Sequence, residues 1–314
     1  MYYEDYPKPK ITEDEVLVKI KYVGICGSDL TNFKKKLYQV PLIMGHESVG
    51  EIIEIGKNIK DFKIGQRVCI INVKLDISKG NLNALGIFQN GGFAEYLKAP
   101  PEFLFSIPDS VSYKEAVMVE SFANISRALK LSNITSNQKI VIIGGGNIGL
   151  CFLKALLVQK DPDYILVVEP QEYLRKKAIE LGASIVVPPK KAKIKRALKD
   201  LSNPSFIFDC VGNQETILLG IDIIERGGTI LLEGIFRGNI ELPIFLMNSK
   251  EINLKGSLGH DKEDIQKSLN LVKKKGFDLS FFISEEVKLE DLQETFKNMI
   301  NPKERRYIKK VIKI

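Results

Sequence analysis

The chain has 314 residues, 44% of them hydrophobic and 27% charged, which is ordinary globular usage with room for two cores. Met1–Lys10 lacks the apolar stretch of a signal peptide, and no apolar run reaches the ~20 residues needed to span a bilayer, so a soluble, cytoplasmic protein without a membrane partner is expected. The net charge of +7 is scattered over short clusters (Lys34–Lys36, Lys190–Arg196, Lys273–Lys275) without interleaved aromatics, so these read as solvated faces and no nucleic-acid partner is expected.

The first part of the chain reads as strand-rich. Glu15–Val23 alternates apolar and charged residues, as a half-buried strand does. Val49–Ile55 and Gly65–Ile71 are β-branched and bounded by turn residues, and Ile71–Gly91 reads as a loop. After about Ser121 short apolar runs alternate with helical stretches. Strands are expected at Lys139–Ile143, Tyr164–Val168, Ser184–Val187, Ser205–Asp209 and Thr229–Leu232. Helices are expected at Ile148–Gln159, Gln171–Leu181, Ala192–Leu201 and Gln214–Ile224. This rhythm calls for a doubly wound parallel sheet, because parallel strands need crossover helices. A strand at Ile252–Gly256, helices at Lys262–Lys275 and Leu289–Ile300, and a last strand at Tyr307–Ile314 follow. That last strand, coming after a completed parallel unit, implies a return to the first domain.

Lys139–Leu150 runs from a strand through Gly144-Gly145-Gly146-Asn147-Ile148-Gly149 into an apolar helix. Here the glycine pattern has the context a dinucleotide fingerprint requires. Gly144 permits the tight turn, Gly146 lets backbone N–H groups approach a pyrophosphate, and Gly149 lets the helix pack on the strand. The next strand ends at Glu169. A carboxylate there accepts hydrogen bonds from ribose hydroxyls and repels a 2′-phosphate, which favours NAD over NADP. Arg175 counts the other way, as a cation able to swing toward such a phosphate.

The four cysteines, Cys26, Cys69, Cys151 and Cys210, are far apart and imply neither a disulfide framework nor a Cys-x-x-Cys zinc knuckle. There are only two histidines, His46 and His260. Cys26-Gly27-Ser28-Asp29 and Gly45-His46-Glu47 bring together ligand types suited to zinc, although each residue alone reads more simply as structural.

Together these motifs resemble the zinc-dependent medium-chain dehydrogenase/reductase family. Gly65-Gln66-Arg67-Val68, Gly91-Gly92-Phe93-Ala94-Glu95-Tyr96 and Gly227-Gly228-Thr229-Ile230 fall in the same order, and the likeness covers nearly the whole chain. It implies a GroES-like β-rich catalytic domain (1–121 and 261–314) and a Rossmann domain (122–260). It also implies reversible hydride transfer between a hydroxylated small molecule and NAD. Cys26 and His46 would bind a catalytic zinc. Asp29 would orient His46, Glu47 would coordinate directly or through water, and Ser28 would relay the substrate proton. Val119-Glu120-Ser121 resembles the segment in which sorbitol and threonine dehydrogenases carry a glutamate ligand, so Glu120 is expected at the metal. On the cofactor side Gly144, Gly146, Asn147, Ile148, Gly149 and Glu169 are expected to bind NAD.

The chain departs from the family pattern at three places. The four-cysteine structural-zinc lobe is missing between Ile71 and Asn90, so a single zinc is expected. A first strand before Glu15 is not evident. Thr31 stands where polyol and threonine dehydrogenases place a relay histidine. His260 is expected to be structural or on the cofactor side. A homo-oligomer, dimer or tetramer, is the family expectation. Two alternatives stay open: a zinc-free NADPH-dependent quinone or enoyl reductase, and a non-catalytic dinucleotide-binding protein.

Overall fold

The computed structural model describes residues 2–38, 40–73, 83–235, 238–274, 276–300 and 305–314. In chain order the first elements are β1 (Val16–Gly24), α1 (Gly27–Lys35), β2 (Glu47–Ile55), β3 (Arg67–Ile70), β4 (Tyr96–Ala99), β5 (Leu104–Ser106), α2 (Tyr113–Ala116) and α3 (Met118–Ser132). Next come β6 (Lys139–Ile143), α4 (Asn147–Gln159), β7 (Tyr164–Val168), α5 (Glu172–Leu181), β8 (Ile185–Val187), α6 (Lys191–Leu201) and β9 (Phe206–Asp209). The last are α7 (Gln214–Ile223), β10 (Thr229–Leu232), α8 (Ile244–Lys250), β11 (Asn253–Gly256), α9 (Lys262–Val272), β12 (Ile283–Lys288), α10 (Leu292–Ile300) and β13 (Lys309–Lys313). Among the described residues no helix is long and apolar enough to cross a membrane.

Two compact units emerge: Met1–Ala123 with His260–Lys303 and Tyr307–Ile314, and Asn124–Gly259 with Glu304–Arg306. In the first, a sheet runs β12-β13-β1-β2-β3-β5, with β4 also paired to β1. β1 is its spine. Val16, Leu17, Val18, Ile20 and Val23 are at most 1% exposed, because both faces of this strand are covered. β13 lies between β12, which it pairs in parallel, and β1, which it pairs antiparallel. The return of the chain to its first strand is therefore made through Val23 opposite Ile312.

The second unit is a parallel sheet ordered β11-β10-β9-β6-β7-β8. Counted from β6 this is the 3-2-1-4-5-6 order of dinucleotide-binding sheets, with the order reversing at β6. Its strands are runs such as Ile140–Ile143 and Leu166–Val168, all at most 2% exposed, as expected where helices cover both faces.

Several elements differ from the sequence reading. α1 was not expected, because Gly27–Lys35 has almost no apolar face. β12 was not among the expected strands, and it is an edge strand with Val287 as its buried residue. α9 stops at Val272 instead of Lys275, and α10 begins at Leu292 after a single 3-10 turn over Leu289–Asp291. Residues 74–82 of the expected Ile71–Gly91 loop lie outside the described residues. The basic residues of Lys34–Lys36, and those of Lys190–Arg196, are exposed.

Candidate metal centre and dinucleotide site

The turn after β1 builds the first half of a polar cluster in the first unit. The Cys26 N–H donates to Asp29 Oδ2 at 3.0 Å, so the start of α1 fixes both residues. Asp29 is fully buried, and its other oxygen stands 3.4 Å from His46 Nδ1. A carboxylate in that place settles the orientation of the imidazole. The other ring nitrogen, Nε2, lies 3.4 Å from Ser28 Oγ. His46 and Glu47 arrive together where β2 begins. One ligand atom each of Cys26, His46 and Glu47 lies within 4.8 Å of the other two.

A thiol, an imidazole and a carboxylate at such spacing suit zinc, whose ligands stand at about 2.0–2.3 Å from the ion. The electrostatics agree. Burial, the largest influence on His46, disfavours its cation, yet Asp29 and Cys26 outweigh it and hold the imidazole well above the ordinary histidine pKa. The centre is thus poised to receive positive charge.

Two further residues singled out in the sequence are Glu120 and Thr31. Glu120, in the first turn of α3, is not in the three-residue cluster. The start of α3 is anchored by Ser268 Oγ, which donates to the Val119 carbonyl at 2.7 Å. Thr31 Oγ1 donates to the Gly27 carbonyl at 2.9 Å, inside α1.

Sequence reasoning missed Lys309. This residue of β13 is 3% exposed, and its ammonium lies 2.6 Å from Glu47 Oε1, 2.5 Å from Oε2 and 3.4 Å from Ser121 Oγ. Burial, the largest influence, works against the Lys309 charge. Glu47, followed by Cys26 and Glu120, overrides it and leaves the pKa above the ordinary lysine value. Gly24 makes room for the pair: a Cβ there would collide with Glu47 Oε2 and stand 2.8 Å from Lys309 Cε. The available signal was parity, since Lys309 shares a strand face with buried Val311.

His260 is partly buried in the first unit. Burial, the largest influence, pushes its pKa down to about 4, helped by the charge of His46 and opposed by the Asn72 backbone and Asp261. A histidine depressed below its unfolded value lends stability above pH 6.5 that is lost as pH falls toward 4, because only the unfolded chain takes up the proton. Wild-type unfolding free energy should therefore carry an extra slope of up to about 1.4 kcal/mol per pH unit in that window. H260N should remove it in urea titrations across the window; parallel pH curves for the two proteins would refute the assignment.

In the second unit, Gly144 adopts φ +97 at the end of β6, and a Cβ on Gly149 would collide with the Gly144 carbonyl. The turn can therefore be this tight only with glycine at both places. α4 opens at Gly146 without a side-chain cap and then runs through Asn147 and Ile148. Glu169 is 4% exposed; its Oε2 accepts from the Gly145 N–H at 2.7 Å and its Oε1 from the Gln171 N–H at 2.8 Å. An ionised carboxylate has about four lone-pair positions, so two remain for other donors. Arg175 Nη1 donates to the carbonyls of Glu169 at 3.1 Å and Pro170 at 2.5 Å, which ties it to this turn.

Comparison with known proteins places both units. Residues 12–109 match the alcohol dehydrogenase GroES-like domain, and residues 147–274 match the zinc-binding dehydrogenase domain. The chain belongs to the zinc-type medium-chain dehydrogenase family. Among its relatives, D-xylulose reductase of Saccharomyces cerevisiae is 29% identical over 92% of this chain and 88% of its own length. L-threonine 3-dehydrogenase of Shewanella putrefaciens is 27% identical over 94% and 92%. The crystal structure of 2R,3R-butanediol dehydrogenase from Bacillus subtilis superposes with a TM-score of 0.87 at 27% identity, over 99% of this chain and 95% of that one. As a member of this family the chain is an oxidoreductase of the alcohol and polyol dehydrogenase type that uses a nicotinamide cofactor.

Proposed function

We propose that this protein is an NAD-dependent dehydrogenase of a polyol, sugar or amino alcohol that works with one zinc ion. The observation that carries the reading is the convergence of Cys26, His46 and Glu47 on one point. These three would hold the metal, with Glu120 as a further carboxylate ligand. When bound, zinc supplies Lewis acidity toward a hydroxyl oxygen and nicotinamide supplies the hydride acceptor.

The chain's own residues do the rest. Asp29 fixes the His46 ring. Ser28, whose hydroxyl stands beside His46, relays the proton of the substrate hydroxyl, taking it up as it passes its own hydroxyl proton on toward water. Thr31, with its hydroxyl bonded inside α1, is poorly placed to take the proton further, so release to water runs by a route other than the family's histidine. Lys309 supplies the buried counter-charge beside Glu47. On the cofactor side, the Gly144–Gly149 turn and the start of α4 receive the pyrophosphate, and the free lone pairs of Glu169 receive the adenosine ribose hydroxyls. The proposed domains are 1–121 with 261–314, and 122–260, in a cytoplasmic homo-oligomer.

The test is a spectrophotometric screen of polyols, aldoses, threonine and simple alcohols with NAD and NADP, with metal analysis of the same preparation. We expect stoichiometric zinc and NADH formation with a multiply hydroxylated substrate. A zinc-free protein that reduces quinones or enones with NADPH would replace this reading. E169A should lower the NAD-over-NADP ratio of kcat/KM by at least about 10-fold, as loss of a carboxylate hydrogen-bond partner predicts. An unchanged ratio would remove Glu169 from cofactor choice.

A further inference from the structure

Ser28 needs an outlet for its proton, and α1 sets the direction of one. Ser28 and Asn32 are four residues apart in this helix, so they share one face and stand about 6 Å apart along its axis. The chain reverses at Lys36 (φ +52), the left-handed end of α1. It is then tied back to the same face, where the Tyr38 N–H donates to Asn32 Oδ1 at 2.6 Å. Asn32 is itself fixed: it is buried, and its amide donates to Met44 Sδ at 3.0 Å. A tyrosine anchored beside Asn32 is long enough to reach one helical turn back, and the Tyr38 phenol is hydrogen-bonded to the Ser28 hydroxyl. Tyr38 is only partly buried, so its side chain joins the polar cluster to solvent. The other neighbour of Ser28 cannot take the proton. His46 presents Nε2 to Ser28 Oγ at 3.4 Å, and this is the nitrogen left for the metal once Nδ1 faces Asp29.

We propose that Tyr38 is the outer member of the proton relay, in place of the histidine that polyol and threonine dehydrogenases set at the position of Thr31. This rests on the dehydrogenase reading above and assigns the exit route for the proton. In the oxidation direction the substrate hydroxyl proton passes to Ser28 Oγ, the Ser28 proton passes to Tyr38 Oη, and the Tyr38 proton passes to water. Both residues end with the protons they began with, and one proton reaches water for each hydride given to the nicotinamide. Tyr38 acts as a conduit and not as a base. Burial, the largest influence on the phenol, lifts its pKa above the ordinary tyrosine value; Asp29 and Cys26 add to this, while His46 and the Ser28 bond oppose it. The phenol therefore keeps its O–H at neutral pH, and a hydroxyl that both accepts and donates is what the step requires.

The experiment uses the full-length, zinc-loaded protein with the alcohol that turns over fastest in the screen above. Y38F keeps the ring and loses the hydroxyl. Its kcat for oxidation, and the rate of proton release read by phenol red in stopped flow, should each fall at least about 10-fold, less than the usual scale of an acid–base group because water takes over in part. KM, zinc content and NADH affinity by fluorescence should stay at wild-type values. Y38H, which restores a group able to pass a proton, should recover part of the rate, as should concentrated imidazole buffer added to Y38F. If Y38F melts early, Y38H against Y38Q carries the same comparison, since the amide bonds to Ser28 without relaying. Wild-type kcat and proton release in Y38F overturn the proposal and leave the dehydrogenase reading intact. So does a loss that neither imidazole nor Y38H rescues, or one seen in KM or zinc content, since these mark a structural or substrate-binding hydroxyl. A wild-type protein that oxidises none of the screened alcohols overturns both.

Discussion

Cys26→Ala should leave a folded protein that no longer retains stoichiometric zinc and turns over at least about 100-fold more slowly. Loss of groups that only support metal ligands already costs 10- to 100-fold, and a ligand is worth more. The fold should survive, because the structural bond at Cys26 is made by its backbone N–H to Asp29 and the side chain is not part of the packed core. Elemental analysis after dialysis against a weak chelator, alongside steady-state rates with NAD, checks both halves. A variant with full zinc and unchanged rate would remove Cys26 from the metal centre. Zinc retained with a lost rate would make the cysteine important to the chemistry but not to metal affinity.

Lys309→Met should cost about 3–5 kcal/mol of stability, because it leaves Glu47 buried without its cation. Both side chains are at most 2% exposed, so water cannot take over from the lost partner. E47Q in the same background should return part of that loss, since a neutral amide needs no counter-charge. Urea unfolding of the two single variants and the double variant measures the coupling. Strict additivity would mean that the two side chains stabilise the protein independently. The sign with pH is also set. A lysine whose pKa is raised above 10.5 contributes fully below that pH, and its contribution fades only as pH climbs through the raised value. The pair therefore holds throughout the neutral range.

How far the sequence foretold this depends on how local each feature is. The β6–α4 turn was legible because its requirements lie within a dozen residues: a β-branched strand, glycines where backbone and helix must pass closely, and an apolar helix. The Cys26, His46 and Glu47 cluster was legible because two short motifs carry it. α1 was not, since its residues form a helix only because Asp29 bonds back to Cys26 and Asn32 is buried, neither of which leaves an apolar period. β12 escaped for a related reason. An edge strand buries little, and in Ile283–Lys288 Val287 is the one buried residue. Lys309 was hidden by its surroundings. Alternation puts Lys309 and Lys313 on the face of Val311 and Lys310 on the other, and the pairing of β13 with β1 shows that Lys309 points inward to a glutamate far away in sequence.

That separation has a consequence for biosynthesis. Lys309 and Glu47 are 262 residues apart, so at about 5–20 residues per second roughly 10–50 s pass between the synthesis of the acid and that of its base. Until β13 inserts between β12 and β1, the carboxylate must stay hydrated or find some other positive charge. Maturation of a centre whose Cys26, His46 and Glu47 are encoded in the first fifty residues thus waits for the final strand. Nonsense or frameshift lesions near the 3′ end of the gene would spare every proposed metal ligand and still leave the centre unable to close.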